Sequence, residues 1–425
     1  MTHQVSIPAE SRVIACPGCD LLLALDCSIE TRFSQVCPRC SQTIYRIKPK
    51  SVNKVLALAI TGLLIYFPAV FSPLLSMEKL GMKGHGNVVS SAVSLYQGGY
   101  YLAAAVVFLA AVLLPFLLLF LIFWVSLNIR AGRKSAMLRK MFSAYLHLQE
   151  WGMTEVYFLG IIITIIKMNP KATIYYDTGF FCFLALVIIS VGILAALDKR
   201  LFWTMLEPDD SAALSITDLH DAKGKSALQL GLAACRICGK LQPETGGRCS
   251  CCNSILHARI PASLSKTWAL VITSAMFFIP ANILPIMQVD LLGVPGSSTI
   301  MDGIIFFFEH GNYPIGLIIF TASVLVPLFK VAGLMIILFT VHSRRRRFLR
   351  QKAGLFRFIE FIGRWSMLDI FVIALLTVLV DFGFFTSVYA APAATYFCLV
   401  VVFTMLAALV FDPRIMWDRC YQLKQ

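Results

Sequence analysis

The chain has 425 residues, of which 58% are hydrophobic and only 14% are charged, and its mean hydropathy is +0.77. This composition is too apolar for a soluble globular protein and indicates an integral membrane protein. The formal net charge of +14 does not point to nucleic-acid binding, because basic residues of membrane proteins collect in short cytosolic loops.

Near the N-terminus, four cysteines form two short motifs. Cys16 and Cys19 enclose one two-residue turn, and Cys37 and Cys40 enclose another. Two such turns place four thiolates around one tetrahedral metal ion, for which zinc is the usual choice, although rubredoxin-like iron takes the same ligands. We predict a zinc ribbon in residues 1–50 and expect it in the reducing cytosol, where this spacing favours metal over a disulfide.

Residues 51–205 are predicted to form a first membrane module of four helices. A spanning helix needs roughly 20 mainly apolar residues, and this segment supplies four such runs once pieces separated by a single ionisable residue are joined. A basic loop with Arg130, Arg133 and Lys140 follows the second run. Short loops rich in lysine and arginine remain in the cytosol, so the loop at 76–99 is assigned to the outside.

Residues 206–262 are predicted to form a linker and a second zinc ribbon. Cys235 and Cys238 enclose its first turn, whereas the second turn reads Cys249-Ser-Cys251-Cys252. The fourth ligand is therefore ambiguous by one residue, either Cys251 or Cys252, and the predicted metal set is Cys235, Cys238, Cys249 and Cys252.

Residues 263–425 repeat the first module at an offset of 212 to 214 residues. Segment 67–73 matches 279–285, segment 150–157 matches 364–371, and a basic loop at 344–352 matches the loop that follows Arg130. Modules with an even number of spans insert with the same orientation, which gives parallel repeats. We predict an all-α polytopic membrane protein with about eight spans, both termini in the cytosol and the loop at 288–312 outside.

The first span of each module carries two prolines five residues apart. In the second module these are Pro280 and Pro285, with Asn282 between them. Proline removes a backbone donor and interrupts a helix, and interrupted spans at corresponding positions in two repeats point to a substrate site. Two interpretations stay open: the three residues border a substrate opening, or the prolines simply end a helix near the outer surface.

Two opposite charges fall near the middle of neighbouring spans in the second module. Lys330 and Asp369 lie at similar depth, whereas the first module has Leu118 and Glu155 at the corresponding positions. Charges inside a membrane are costly and usually face a bundle interior or a transport pathway. We predict that Lys330 and Asp369 pair, with the alternative that Lys330 extends to the membrane surface.

Three hydroxyl side chains extend this pair into a predicted polar network. Ser323 lies seven residues before Lys330, Ser366 lies three residues before Asp369, and Thr404 lies within the last span. The spacing of seven puts Ser323 on the face of Lys330. The alternative is that the hydroxyls bond to their own backbone.

Five motifs of the chain resemble the paraquat-inducible protein A family, which includes the lipid-transport protein A subfamily. They are CPGCD at 16–20, CPRC at 37–40, PANILPI at 280–286, VPLFK at 326–330 and GRWSMLDIFVI at 363–373. The resemblance implies an inner-membrane component of Gram-negative bacteria that passes phospholipid through a periplasm-spanning tunnel protein built of mammalian-cell-entry (MCE) domains. It also implies zinc ribbons and a polar network of Ser323, Lys330, Ser366, Asp369 and Thr404.

We therefore predict a lipid transport subunit rather than an enzyme, with protons at Lys330 and Asp369 as a candidate energy source. The chain has no Walker motif to bind nucleotide. One alternative is a membrane oxidoreductase that uses the thiolate sites as iron centres, although no paired haem histidines occur in the spans. The other is a scaffold or sensor that transports nothing.

Overall fold

The computed structural model describes most of the chain. The described residues are 12–25, 35–45, 48, 50–79, 82–168, 173–208, 224–244, 247–291, 294–309, 311, 313–343, 348–380 and 386–421. The basic run 344–347 lies outside them.

Two modules follow one another, and each consists mainly of helices in the same order. The helices of the first module are α1 (Ser51–Phe71), α2 (Val88–Gln97), α3 (Tyr101–Phe108), α4 (Leu114–Arg130), α5 (Ala136–Leu148), α6 (Thr154–Met168), α7 (Thr178–Ala196) and α8 (Lys199–Leu206). Those of the second are α9 (Ser263–Ile283), α10 (Ile300–Glu309), α11 (Tyr313–Phe320), α12 (Val326–His342), α13 (Leu349–Gly363), α14 (Leu368–Leu379), α15 (Ala393–Val410) and α16 (Ile415–Tyr421).

Seven helices of the described part of the chain are long and apolar enough to cross a membrane. A shorter apolar helix, Thr154–Ile166, stands in the place of the third span of the first module. The prediction of a mostly helical, multi-pass membrane protein with a two-part repeat is confirmed.

The second span of each module contains a π-helical turn. It lies at Leu109–Leu113 between α3 and α4, and at Thr321–Leu325 between α11 and α12. Pro115 and Pro327 follow directly, at the second position of α4 and α12. Proline has no backbone donor and its ring crowds the carbonyl four residues earlier, so a wider turn before it relieves both conflicts.

Small antiparallel sheets cover the helix ends opposite the cysteine motifs. One has the strand order β6 (Met82–Gly86), β5 (Leu75–Lys79), β7 (Thr173–Tyr176), and the other β11 (Val294–Ser298), β10 (Met287–Leu291), β12 (Thr386–Ala390). In the first, Ser76 pairs with His85 on one side and Tyr175 on the other. From the sequence, only loops were predicted in the segments that form these strands.

Each module is closed by the same pair of hydrogen bonds between its first and last spans. Ser51 at the start of α1 donates to the Ala196 carbonyl (2.7 Å) and accepts from the Asp198 amide (2.9 Å). In the second module, Ser263 donates to the Val410 carbonyl (2.8 Å) and accepts from the Asp412 amide (3.0 Å). One hydroxyl thus satisfies two backbone groups at a helix end that would otherwise be buried without partners.

The third spans of the two modules pack against each other. The rings of Tyr157 on α6 and Phe371 on α14 meet edge to face at 5.2 Å. A side-chain carbon added at Gly160 would lie 3.2 Å from the Phe371 Cβ. Glycine at position 160 therefore allows α6 and α14 to approach closely, and a larger residue would require Phe371 to shift.

Candidate functional site

Four turns of one shape carry the cysteine motifs. In each turn, the residue after the second cysteine has a left-handed backbone, at Asp20, Ser41, Gly239 and Asn253 with φ of 62°, 60°, 77° and 60°. Its amide donates to the carbonyl of the first cysteine over 2.8 to 2.9 Å. Glycine, asparagine and aspartate adopt this conformation most readily.

The fourth of these turns resolves the choice between the adjacent cysteines. Asn253 donates to the Cys249 carbonyl, so the turn runs from Cys249 to Cys252. The sulfur atoms of Cys235, Cys238, Cys249 and Cys252 lie within 4.8 Å of one another. Cys251 is buried but is not one of these four.

The thiols of both clusters fit a tetrahedral metal ion. In the first, Cys16 Sγ lies 3.5 Å from Cys40 Sγ, and Cys19 Sγ lies 3.5 Å from Cys37 Sγ. In the second, the Cys235–Cys252 and Cys238–Cys249 Sγ distances are 3.4 and 3.5 Å. Tetrahedral zinc with bonds of about 2.3 Å requires sulfur separations of about 3.8 Å, whereas a disulfide needs about 2.05 Å. Both clusters are able to bind a metal ion.

Short strands hold the thiols in place. In the first ribbon, β1 (Arg12–Ala15) pairs with β2 (Leu22–Leu25), and β3 (Gln35–Val36) pairs with β4 (Thr43–Tyr45). In the second, β8 (Leu232–Ala234) pairs with β9 (Leu241–Pro243). Each pair flanks a cysteine turn, so the strand register fixes where the two thiols point.

A cavity of about 700 Å³ lies where both ribbons meet the adjoining helix ends of the two modules. Two charged side chains in its wall bind each other: Arg414 donates two hydrogen bonds of 3.0 Å to the Asp412 carboxylate. Burial favours the neutral form of Asp412, but the hydrogen bonds and charge of Arg414 outweigh it and hold the pKa of this carboxyl below its usual range. Asp412 and Arg414 thus form an ion pair in the wall of this cavity.

Lys330 is completely buried between α12 and the connection from α13 to α14. Its ammonium group donates to the Gly363 carbonyl (3.4 Å) and to Ser366 Oγ (3.3 Å). A 3₁₀ turn at Arg364–Met367 presents these acceptors. Lys330 does not extend to the membrane surface, and no direct ion pair with Asp369 occurs between the side chains that the structure describes. The predicted pairing is replaced by hydrogen bonds to Ser366 and a carbonyl.

Asp369 and Ser323 line a second, smaller cavity of about 60 Å³. Thr299 is the third polar residue of its wall, and the other lining residues are apolar. Ser323 lies in the π-helical turn of the second span. Thr404 is buried and donates to the Val401 carbonyl of its own helix (2.9 Å). The structure therefore joins Lys330 to Ser366 and places Ser323 beside Asp369, while Thr404 bonds to its own backbone.

The first module has a similar cavity with different chemistry. About 50 Å³ of space is lined by Glu155, Thr154, Ser190 and Leu118. Leu118 stands where the second module has Lys330, so only the second module has a buried ammonium group in this position. The Leu118 side chain fills the space next to Gly152, where an added side-chain carbon would lie 2.5 Å from Leu118 Cδ1.

The prolines of the fifth span lie at its end rather than in its middle. Helix α9 continues through Pro280 to Ile283 and ends before Pro285. Asn282 donates to the Phe278 carbonyl (2.8 Å), one turn earlier. The Pro285 carbonyl accepts from the amide of Ala393 at the start of α15 (3.1 Å). The two prolines thus mark the passage from helix to sheet.

The model of the family described as paraquat-inducible protein A matches residues 52–207 and 264–421. The chain belongs to the paraquat-inducible protein A family. The intermembrane transport protein PqiA of Escherichia coli is 30% identical over 407 residues, which cover 96% of this chain and 95% of that protein. This agrees with the resemblance drawn from the five sequence motifs.

Two further relatives in this family match almost the whole chain. The lipophilic envelope-spanning tunnel protein A of Escherichia coli is 32% identical over 95% of this chain and 90% of its own length. The probable intermembrane transport protein of Haemophilus influenzae is 26% identical over 96% of both chains. These names describe transport proteins rather than enzymes. No solved structure matches the chain.

Proposed function

We propose that this protein is the inner-membrane subunit of an intermembrane lipid transport system. In this proposal it loads phospholipid into, or extracts it from, a periplasm-spanning tunnel protein of MCE domains. The names of its relatives in the family support a role in intermembrane transport. Two structural zinc ions bound by Cys16, Cys19, Cys37, Cys40, Cys235, Cys238, Cys249 and Cys252 would stabilise the cytosolic ribbons.

The observation that carries the proposal is the buried Lys330, whose hydrogen-bond partners among the described residues are neutral oxygen atoms. An ammonium group in such a place is costly. It gains from exchanging these long hydrogen bonds for a phosphate oxygen or water, since charge-assisted bonds to an anion are stronger. A lipid phosphate or a proton-carrying water is therefore a ligand that this site favours.

The neighbouring cavity supplies the rest of the site. Its apolar wall suits an acyl chain, and Asp369 and Ser323 suit a polar headgroup or a proton. At about 60 Å³, however, it is far smaller than the roughly 300 Å³ at which ligand pockets begin. Lipid entry therefore requires α14 to separate from the π-helical turn. A π-helical turn is a favourable place for such movement, because its hydrogen bonding is irregular.

Reconstituted transport tests the proposal. Donor vesicles containing the protein, a fluorescent phospholipid and the MCE partner should deliver the lipid to acceptor vesicles. The rate should fall to background when either protein is omitted. Transfer that proceeds equally without this chain would contradict the proposal, and binding of the partner without any transfer would favour the scaffold alternative.

Orientation is tested by labelling, since the proposal places both termini in the cytosol and the sheets outside. Ser297 on β11 is exposed, so Ser297→Cys should react with an impermeant maleimide in intact spheroplasts. Ser343→Cys, at the opposite end of α12, should react only after permeabilisation. Wild-type protein measures the background of native thiols. The reverse pattern at these two positions would contradict the orientation.

A further inference from the structure

The cysteine turns of the first ribbon contact the second membrane module, whereas Lys48, just before α1, donates to carbonyls at the end of α7 in the first. Arg357 on α13 donates to the carbonyl of the metal-site residue Cys40 (3.1 Å). The guanidinium of Arg39, which lies between two thiols, is 4.8 Å from the centre of the Trp417 ring on α16. The four thiols share one apolar cluster with side chains of the second module.

Asp20 makes the most specific of these connections. It follows Cys19 directly, is 1% exposed and accepts from Arg259 Nη2 at 2.8 Å. Arg414 Nη1 lies 3.8 Å from its other oxygen. Arg259 also donates to Asp418 on α16 (2.8 Å). One buried carboxylate thus connects the turn of the first metal site to the last helix of the second module.

The second ribbon contacts the first module. Lys240, two residues after Cys238, forms an ion pair of 2.7 Å with Glu207 at the end of α8. Thiols of this ribbon belong to a large apolar cluster that contains Phe202 and Trp203 of α8 and also extends into the second module. The first ribbon therefore contacts the second module, and the second ribbon contacts the first module.

We infer that each metal centre stabilises the helix ends of the module that its ribbon contacts. The first metal centre stabilises the second module, and the second metal centre stabilises the first module. The contacting residues are ligands or lie within two residues of one: Arg39, Cys40 and Asp20 in one ribbon, and Lys240 in the other. Without metal, a four-thiol ribbon of this size loses its fold, and these contacts lose their positions. The inference does not depend on the proposed transport function.

Hydrogen–deuterium exchange of the full-length protein tests the crossed pattern. In Cys19→Ser, amides of 353–360 and 415–418 should exchange about tenfold faster or more, while those of 199–206 stay unchanged. In Cys252→Ser, amides of 199–206 should exchange faster than in the wild type, and those of 415–418 should exchange at the wild-type rate. Each variant should retain one metal ion per chain. Faster exchange confined to the module that directly follows the altered ribbon would overturn the inference, as would equal effects in both modules.

Two further variants keep the test decisive if a ligand substitution prevents folding. Cys251→Ser removes a buried thiol that is not a ligand, so it should retain both metal ions and wild-type exchange. Asp20→Asn removes the charge while keeping a residue that accepts the left-handed backbone. It should retain both ions and still exchange faster at 415–418. Unchanged exchange there in Asp20→Asn would overturn the role given to Asp20.

Discussion

Lys330→Met should abolish lipid transport while leaving the protein at least as stable as the wild type. Methionine fills nearly the same volume, and replacing a buried charged group by an apolar one of similar size is often neutral or stabilising by about 1–4 kcal/mol. The ammonium group that would bind a phosphate or carry a proton is lost. Transport in reconstituted vesicles and thermal unfolding, measured on the same preparation, separate the two effects. We expect the transport rate to fall by roughly a hundredfold, the scale of removing a charged group from a buried site.

The corresponding position of the first module provides a matched control. Leu118→Met should change neither stability nor transport, because no ionisable side chain is involved. Asp369→Leu combined with Lys330→Met extends the test: if the two residues are purely structural, both stability and transport should match the wild type, whereas a role in transport predicts that only stability should. Full transport by Lys330→Met would contradict the site assignment.

Replacing Cys16 and Cys19 together by serine should sharply lower the yield of folded protein and halve its metal content. Metal binding by four-cysteine sites contributes roughly 10–16 kcal/mol to folding in small zinc peptides, which exceeds the whole stability of many domains. Yield after detergent extraction and elemental analysis of the purified protein measure both effects. We expect two zinc ions per wild-type chain.

Cys182→Ser is the control for this double substitution, since Cys182 lies in α7, away from both clusters. It should retain the yield and both ions. Wild-type protein with no transition metal would contradict the metal assignment. Iron with a visible thiolate charge-transfer band would instead support the oxidoreductase alternative.

The two four-cysteine clusters were predictable from sequence because each cysteine turn is a local property. Two cysteines three positions apart bind one ion through a single turn, whatever the rest of the chain does. The four-helix repeat was predictable for a similar reason, since membrane spans require long apolar runs. The exception is α6, which is short and contains Glu155 in its first turn.

The surroundings of Lys330 were predicted only in part. Depth along a helix follows from counting residues, but the direction in which a side chain points around the axis depends on packing. The 3₁₀ turn at Arg364–Met367 breaks the helical period between Ser366 and Asp369 and brings Ser366 to Lys330. The π-helical turn likewise shifts Ser323 relative to Lys330, so a spacing of seven no longer places both on one face. No residue type signals the 3₁₀ turn, and Pro327 indicates an irregularity in the span without specifying a π-helical turn.

The strands outside the helices and the crossed ribbons were missed because they depend on distant partners. β5 pairs with β7, and β10 pairs with β12, across most of a module. Strands of four or five residues have too few positions for a periodic pattern to be recognised. The contact between Asp20 and Arg259 joins residues 239 apart in the chain, for which neither residue type nor spacing gives a signal.

The contact of the first ribbon with the second module also sets an order of events during synthesis. Arg357, which binds the Cys40 carbonyl, lies 317 residues later in the chain. At about 5–20 residues per second, the ribosome reaches it roughly 15 to 60 s after the last ligand of the first site. During that interval the first ribbon lacks this contact, and a metal ion bound by its four thiols would have to stabilise it. A cell short of metal would therefore lose the nascent protein at this stage, before the last spans have been inserted.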